Sequence, residues 1–359
     1  MNKAAAAVGR EQGTLMRVFV TGVHGYVGAV LAPYLQERGI SVTGLDTGFY
    51  RDGWLFSSDK SLTATHPYTL NKDLRRVTAA DLEGCDAVVH LAELSNDPLG
   101  QNNPRVTHEI NHKGSVQLAQ TARSAGINRF VYASSCSVYG AGTGDFLDES
   151  TAPNPQTAYA ECKVLVERDV GAMVDRNFCA TFLRNATAFG PSPRMRFDIV
   201  INDLSALAWT TKKIAMSSDG SPWRPVVHVL DMCEAMYRSL IAPADAVRGK
   251  IFNVGQNSEN YRVRELAKII ADEFPGCEVT VGSSAGDNRS YRVNFDKIHR
   301  ELPGFKCHYT ARDGAKQLHE VFQRIQMQPE TYQFRAFTRL KQLKYLQQTE
   351  QIDADFYWR

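Results

Sequence analysis

A short β-branched run leads directly into three regularly spaced glycines, and this pattern constrains the fold more than any other part of the chain. Arg17-Val-Phe-Val-Thr21 predicts a strand, and residues 27–38, with apolar residues at helical spacing, predict a helix that ends at Gly39. Between them, Gly22, Gly25 and Gly28 recur at every third residue. Glycines in such a turn let backbone N–H groups approach a phosphate at the helix N-terminus. The segment predicts a dinucleotide-binding turn, and an ordinary glycine-rich turn is the alternative.

The alternation of strand and helix continues down the chain. The run at residues 86–91 is almost entirely apolar, which is typical of a strand buried on both faces of a sheet. Strands that alternate with helices at this spacing predict an α/β fold with a doubly wound parallel sheet, the Rossmann arrangement. Further strands are predicted at residues 40–46, 68–72, 129–134 and 179–184, and further helices at 104–125 and 156–174.

The strand and helix rhythm becomes irregular where Pro and Gly cluster, at residues 190–193 and 219–225. We therefore expect a second, smaller α/β lobe after the Rossmann domain. The polar, Gln-rich C-terminal residues favour helix, and their sequence predicts no function. The expected division is a flexible tail at 1–15, a Rossmann domain at 16–188 with a return segment near 226–256, a substrate lobe at 189–225 and 257–328, and a helical C-terminal tail at 329–359.

Composition excludes several classes of partner. The 359-residue chain has a formal net charge of +2 and no basic stripe, so neither nucleic acid nor an anionic membrane is an expected partner. No apolar run approaches the roughly 20 residues that a membrane span needs. The seven cysteines are scattered without a Cys-x-x-Cys pair, which predicts neither a disulfide framework nor a metal site. A cytoplasmic protein is the expectation.

Several positions are candidates for holding the dinucleotide. Asp46 ends the second strand, where a carboxylate accepts hydrogen bonds from the adenosine ribose hydroxyls and repels a 2′-phosphate, so NAD is favoured over NADP. Arg51 lies nearby and keeps NADP open as an alternative. From their positions at the ends of strands, Asp73 and Leu74 are expected at the adenine, and Leu91 and Ala92 beneath the cofactor. The candidate cofactor residues are Gly22, Gly25, Tyr26, Val27, Gly28, Asp46, Asp73, Leu74, Leu91, Ala92 and Lys163.

A tyrosine and a lysine four residues apart are the candidate catalytic pair. Tyr159 and Lys163 lie on one face of the helix predicted at 156–174. A phenol has an ordinary pKa of about 10, and we expect the lysine ammonium to lower the pKa so that Tyr159 can accept a proton from a substrate hydroxyl. Ser135, at the carboxyl end of the strand predicted at 129–134, is the candidate for holding the reacting oxygen.

These motifs together resemble the extended short-chain dehydrogenase/reductases, specifically the NAD-dependent epimerase/dehydratase branch that acts on nucleotide sugars. The resemblance runs from about residue 17 to residue 305. It implies that Arg224 and Arg289 bind the nucleotide diphosphate, that Ser137 and Thr187 lie at the sugar, and that the protein is a homodimer through helices near 104–125 and 157–174. The motifs that carry it are Thr21-Gly-x-x-Gly-x-x-Gly28, His90-Leu-Ala92, Ser134-Ser135 with Val138-Tyr-Gly140, Tyr159-x-x-x-Lys163, Arg184 with Phe189-Gly-Pro191, and Asp219-Gly-Ser-Pro-Trp-Arg224 with Val227-His-Val-Leu-Asp231.

Departures from the family pattern indicate the subclass. The 4,6-dehydratases of the family carry Asp-Glu where this chain has Cys136-Ser137, which disfavours dehydration by that mechanism. The 4-epimerases carry small residues there, although they usually have Asn where Thr187 stands. Cys136 is a candidate general base by likeness to a sugar 3,5-epimerase group whose cysteine lies one position later, and packing is the alternative.

We therefore expect an NAD-dependent nucleotide-sugar epimerase that acts by transient hydride transfer, at C4 of the sugar. A ketoreductase or dehydrogenase of a similar sugar would use the same residues and is the first alternative. A non-catalytic dinucleotide sensor is the second, and the presence of Tyr159 and Lys163 counts against it.

Overall fold

The computed structural model describes residues 15–57, 67–142, 145–284 and 290–359, which leaves residues 1–14 of the expected tail and the candidate ligand Arg289 outside the described residues. Within these ranges the strands are β1 (Arg17–Thr21), β2 (Ser41–Asp46), β3 (Tyr68–Asn71), β4 (Ala87–His90), β5 (Arg129–Ser135), β6 (Phe146–Leu147), β7 (Cys179–Asn185), β8 (Thr187–Phe189), β9 (Lys213–Ser218), β10 (Trp223–His228), β11 (Ile251–Val254), β12 (Asn260–Arg262), β13 (Glu278–Ser284) and β14 (Arg292–Val293).

The α-helices in the same ranges are α1 (Gly28–Gln36), α2 (Asp97–Asn102), α3 (Pro104–Thr107), α4 (Ser115–Ser124), α5 (Ala158–Gly171), α6 (Val200–Thr211), α7 (Val229–Ile241), α8 (Ala244–Val247), α9 (Val263–Glu273), α10 (Asp296–Glu301), α11 (Ala311–Arg324), α12 (Pro329–Gln333) and α13 (Arg339–Gln348). Among them, no helix is long and apolar enough to cross a membrane.

A seven-stranded parallel sheet forms the centre of the molecule, in the order β11-β7-β5-β4-β1-β2-β3. Alternate residues of β1 point to opposite faces, as strand geometry requires. Val18 and Val20 pack with α1 and α7, while Phe19 packs in the cluster that contains residues of α4 and α5. With helices on both faces, the sheet is doubly wound, and the predicted fold class is confirmed. The chain order reverses between β1 and β4, so the carboxyl ends of these two strands open the crevice in which such folds bind ligands.

The helix predicted at 104–125 is interrupted, which the sequence pattern did not predict. Residues His108–Gly114 form a π-helical stretch between α3 and α4. This stretch directs the buried Asn111 side chain at the loop after β4, where its Oδ1 accepts from the Leu94 N–H at 2.9 Å and its Nδ2 donates to the Leu94 carbonyl at 3.1 Å. A π-bulge often lies at a functional site, and here it fixes the loop that follows β4.

The chain after β8 builds a smaller part with its own core. A three-stranded sheet in the order β12-β10-β8 lies beside the paired strands β9 and β13. Helices α6, α9 and α11 pack together around apolar residues of this part, such as Leu204, Leu266 and Leu318.

The C-terminal residues fold back across the carboxyl ends of the sheet strands. We call residues 329–359 the C-terminal segment; it contains α12, α13 and an antiparallel bridge between Ile352 and Trp358. Its helices agree with the prediction, but the residues after α13 are not helical. The segment buries apolar side chains in a cluster shared with the loops after β2 and β4, whose members are Phe49, Leu94, Leu99, Val106, Ile110, Leu343, Leu346, Ile352 and Phe356.

Candidate active site

A cavity of about 440 Å³ opens at the carboxyl ends of the parallel strands. Its wall includes every described residue that the sequence singles out for cofactor or substrate, and the candidate catalytic residues except Cys136. These residues come from eight separate stretches of the chain, so the fold brings together groups that the sequence keeps far apart.

The glycine turn forms one end of this cavity. Gly22 has φ +70°, a conformation that favours glycine, and its N–H donates to the Leu45 carbonyl of β2 at 2.7 Å. A Cβ on Gly28 would lie 2.2 Å from the Gly22 carbonyl oxygen, so the turn closes tightly only because residue 28 has no side chain. Gly28 is also the first residue of α1. The N–H groups that begin this helix therefore face the cavity end where a phosphate binds most favourably.

Two acidic residues lie near this turn on the neighbouring strand ends. The Asp46 carboxylate, at the end of β2, accepts from the His24 N–H at 3.0 Å and from the Gly48 N–H at 2.7 Å. Both oxygens of Asp73 are engaged by the Arg75 guanidinium, at 2.9 and 2.8 Å. The Asp46 position is the one that a ribose-binding carboxylate takes in this fold. The assignment of Asp73 and Leu74 to the adenine remains a prediction.

The candidate catalytic pair, Tyr159 and Lys163, lies on α5 and lines the cavity. Thr157 caps this helix by accepting a hydrogen bond from the Ala160 N–H at 3.2 Å. Lys163 is 4% exposed and donates a hydrogen bond to the Ala133 carbonyl of β5. Its Nζ lies 5.3 Å from the centre of the Tyr159 ring. The lysine charge is thus held beside the phenol, as the sequence predicts.

A buried carboxylate that the sequence interpretation missed pairs with this lysine. The Glu93 Oε2 lies 2.6 Å from Lys163 Nζ, and its Oε1 accepts from the Tyr132 hydroxyl at 2.6 Å. Glu93 follows His90-Leu-Ala92 directly, and its position just past the end of β4 was a usable signal. The lysine and glutamate side chains are only 5% and 3% exposed, so the pair is almost fully removed from water.

The electrostatics around Tyr159 correct one expectation. Burial raises the pKa of the phenol above its ordinary value; Lys163 and a hydrogen bond with Ser135 act to lower the pKa, while Glu93 and Asp97 act to raise it. For Lys163, burial favours the neutral amine, but Glu93 and Tyr159 outweigh burial and raise the pKa of the ammonium. The prediction that the ammonium lowers the phenol pKa is correct in sign, but the net shift of the pKa is upward.

Of the small residues at the carboxyl end of β5, two line the cavity and one faces the protein interior. Ser135 lines the cavity, and its Oγ accepts from the Ser137 N–H at 3.1 Å. Ser137 also lines the cavity, and its buried Oγ has no hydrogen-bond partner among the described residues. Cys136 points the other way: it is 1% exposed, and its thiol donates to the Arg184 carbonyl at 3.1 Å. Burial raises the pKa of this thiol. This geometry argues against Cys136 as a general base and favours the packing alternative.

Two of the candidate substrate residues lie on strands of the smaller three-stranded sheet. Thr187 on β8 and Arg224 on β10 both line the cavity, and Arg224 Nη1 donates to the Trp223 carbonyl at 2.8 Å. Two further arginines in the wall, Arg196 and Arg339, were not predicted. Arg339 belongs to the C-terminal segment, and its place in the wall results from chain folding that no local pattern encodes.

Comparison with known proteins agrees with this architecture. The model of the NAD dependent epimerase/dehydratase family matches residues 18–255. A UDP-glucose 4-epimerase of Mycolicibacterium smegmatis is 32% identical over 323 residues, which cover 86% of this chain and 98% of that protein.

Solved structures give the same result. MoeE5 in complex with UDP-glucuronic acid and NAD is 26% identical, with a TM-score of 0.72, over 86% of this chain and 99% of its own. The dTDP-glucose 4,6-dehydratase DesIV from Streptomyces venezuelae, solved with NAD bound, is 25% identical, with a TM-score of 0.73, over 86% of this chain and 97% of its own. The family match covers more than half of the chain and includes the glycine turn, Tyr159 and Lys163. The chain belongs to the NAD-dependent epimerase/dehydratase family, and it is an NAD-dependent enzyme of the extended short-chain dehydrogenase/reductase type.

Proposed function

We propose that the protein is a nucleotide-sugar epimerase that inverts one sugar carbon, C4, by transient oxidation and reduction. The observation that carries the proposal is that Tyr159, Ser135 and Lys163 line the cavity that begins at the glycine turn, with Lys163 Nζ 5.3 Å from the centre of the Tyr159 ring. The similarity to the M. smegmatis 4-epimerase supports the proposed outcome.

The residues of the cavity fit NAD. The turn at Gly28 has no room for a side chain, which would let a diphosphate approach the backbone. Asp46 accepts from the His24 N–H of this turn, and from there its carboxylate would accept hydrogen bonds from the ribose hydroxyls. Lys163 lines the same cavity and donates to the Ala133 carbonyl, two residues before Ser135 on β5, where it would bind the second ribose. Bound NAD supplies a two-electron acceptor that takes a hydride from the sugar and returns it.

In the proposed reaction, the proton and the hydride that leave the sugar are both returned to it. Ser135 holds the oxygen on the reacting carbon while Tyr159, as phenolate, accepts the hydroxyl proton and hydride leaves the same carbon. The resulting ketone turns over in the cavity. Hydride then returns to its opposite face, and Tyr159 gives the proton back to the oxygen. The net reaction consumes no oxidant.

The absence of a dehydratase acid–base pair at residues 136 and 137 supports epimerisation over water elimination. Cys136 faces the Arg184 carbonyl, and neither Cys136 nor Ser137 carries a carboxylic acid that could protonate a leaving hydroxyl or a carboxylate that could remove a carbon-bound proton. A dehydrogenase or ketoreductase would use the same Tyr159, Lys163 and Ser135. It therefore differs from the epimerase only in whether oxidised and reduced products leave the enzyme.

The test is to incubate the purified protein with UDP-glucose, UDP-glucuronic acid and dTDP-glucose, with no NAD added, and to follow the sugar signals by NMR. Formation of the C4 epimer supports the proposal. Stoichiometric NADH formation on adding NAD would identify a dehydrogenase, and a 4-keto-6-deoxy product would identify a dehydratase; either result replaces the proposal. The homodimer implied by the family resemblance remains a prediction that light scattering would test.

Glu93→Gln is expected to move the acid limb of the kcat/KM–pH profile to lower pH. The Glu93 carboxylate acts to raise the pKa of Tyr159. Removing this charge lowers the phenol pKa, so more phenolate is present at each pH below it. Gln keeps the shape and can still hydrogen-bond with Lys163 and Tyr132.

The control for this profile is Glu109→Gln, since Glu109 pairs with Lys113 on the surface and does not line the cavity. We expect its profile to match that of the unmodified enzyme. A shift of the Glu93→Gln profile to higher pH would contradict the prediction, because it would mean that Glu93 acts chiefly by keeping Lys163 protonated.

A further inference from the structure

Two buried guanidinium groups lie in the wall of the cavity, and neither is explained by the steps at Tyr159. Arg196 is 8% exposed and Arg339 is 2% exposed. Arg196 follows β8 in the chain, whereas Arg339 begins α13 in the C-terminal segment. Buried charges of one sign are costly unless an opposite charge compensates them.

The protein itself supplies only part of that compensation. Asp198 is shared: its Oδ1 accepts from Arg196 Nε at 2.8 Å, and its Oδ2 accepts from the backbone N–H of Arg339 at 3.0 Å. Within the described ranges, the Arg339 guanidinium donates only long hydrogen bonds, to the carbonyls of Ala336 and Arg194 at 3.3 and 3.4 Å, and its Cζ lies 4.2 Å from the centre of the Tyr50 ring. The Arg196 Nη2 is buried and has no hydrogen-bond partner in the described parts of the chain. Donors of this kind fit an anion in the cavity.

The surroundings of the two arginines indicate which anion. Both arginines line the same cavity as the proposed ribose-binding carboxylate of Asp46 and the proposed catalytic phenol of Tyr159. In a dinucleotide that extends from this carboxylate to this phenol, the central diphosphate lies between the two ends.

Hydrogen bonds connect the loop before Arg196 to the glycine turn. Ser192 Oγ donates to the Tyr26 carbonyl at 2.8 Å and accepts from the Arg194 N–H at 3.2 Å. Arg194 is also the residue whose carbonyl accepts from Arg339. Arg339 is thus connected through this loop to the turn that is expected to bind the diphosphate from the other side.

We propose that Arg339 and Arg196 form a diphosphate-binding site for NAD opposite the glycine turn, and that the C-terminal segment thereby retains the cofactor. Guanidinium forks match phosphate oxygens, and two of them offset the two charges of a diphosphate. The proposal depends on NAD binding alone and not on the outcome at the sugar. It assigns to the C-terminal segment a function that the sequence does not predict.

The attachment of the C-terminal segment explains how it would slow cofactor release. Gln342 Nε2 donates to the Phe49 carbonyl at 3.1 Å, and Trp358 Nε1 donates to the Thr47 carbonyl at 2.5 Å, so the loop after β2 is held at two points. Arg75, in the loop after β3, donates to the Asp355 carbonyl at 2.9 Å. These are the loops beside Asp46 and Asp73, and the segment lies across them.

The experiment compares Arg339→Met with the unmodified protein for three ligands, by calorimetry on protein freed of cofactor. We expect the Kd for NAD to rise about 10- to 100-fold, the range for loss of a charged hydrogen bond. Adenosine, which has no phosphate, is expected to bind both proteins equally. UDP tests the other source of a diphosphate, and its Kd is expected to stay unchanged. The protein as purified should also carry less NAD, measured by absorbance after denaturation.

The matched control is Arg335→Met in the same segment. Arg335 pairs with Asp52 at 2.8 Å and does not line the cavity, so its loss removes an arginine from the same segment without removing a phosphate ligand or any of the three hydrogen bonds named above. We expect it to leave the Kd for NAD within about twofold. If Arg339→Met does not fold, Arg339→Lys, which keeps the charge but loses the planar fork, should show a smaller loss confined to NAD. An unchanged Kd for NAD, an equal loss for adenosine, or a loss for UDP alone would overturn the proposal.

Discussion

Tyr159→Phe is expected to lower kcat by roughly 10²- to 10⁴-fold, the usual contribution of a positioned acid–base group. The substitution removes the proposed proton-transferring hydroxyl and keeps the aromatic ring on α5. Lys163 keeps its contacts with Glu93 and Ala133, so the cofactor site is unchanged. We therefore expect the Kd for NAD to stay the same. The measurements are single-turnover rates for the chemistry and calorimetry for the cofactor.

Tyr68→Phe is the control for this loss. Tyr68 begins β3 and is 72% exposed, far from the catalytic helix, so its hydroxyl should be dispensable. Tyr159→Phe with activity equal to that of Tyr68→Phe would remove Tyr159 from the mechanism. A large loss of NAD affinity in Tyr159→Phe would instead show that the hydroxyl is needed for binding.

Glu167→Gln is expected to lower the free energy of unfolding by about 3–5 kcal/mol, the usual cost of removing one partner from a buried ion pair. Glu167 on α5 pairs with Arg184 on β7 at 2.7 Å, and the two side chains are only 5% and 3% exposed. Glu167 also accepts from the Ser134 hydroxyl at 2.5 Å. The Glu167–Arg184 ion pair therefore joins α5 to β7, and the Glu167–Ser134 hydrogen bond joins α5 to β5, the strand that ends at Ser135. Urea unfolding measures the change from the midpoint and the slope.

Glu109→Gln again provides the comparison, because the Glu109–Lys113 pair is exposed and such pairs contribute little. We expect a change below about 0.5 kcal/mol. Equal unfolding midpoints for Glu167→Gln and Glu109→Gln would show that the buried guanidinium finds compensation elsewhere, such as the Tyr139 hydroxyl, which lies 3.0 Å from Arg184 Nη1.

The parts of the fold that the sequence predicted are those set by local patterns. Val18, Phe19 and Val20 are consecutive apolar residues, and a glycine turn follows them, so β1 and α1 can be located without knowing the rest of the molecule. The same holds for the strand ends, which is why the candidates Asp46 and Ser135 could be chosen from the sequence, and both line the cavity. The parallel sheet then places these strand ends along one edge.

What the sequence could not predict depends on contacts between distant segments. Glu93 pairs with a lysine 70 positions away, and whether Cys136 faces the cavity or the core depends on the carbonyl of Arg184 on a neighbouring strand. Arg339 reaches the cavity only because the C-terminal segment crosses it. The electrostatic balance at Tyr159 also depends on burial, which no spacing of residues encodes.

The attachment of the C-terminal segment has a consequence for the order of folding. The hydrogen bonds from Trp358 to Thr47, from Gln342 to Phe49 and from Arg75 to Asp355 close chain loops of 311, 293 and 280 residues. Closing such loops costs the most chain entropy, so these contacts are expected to form after the sheet has assembled. A nascent chain would then have a complete β-sheet before its nucleotide cleft is finished. Cofactor capture is thereby coupled to the last step of folding rather than to the first.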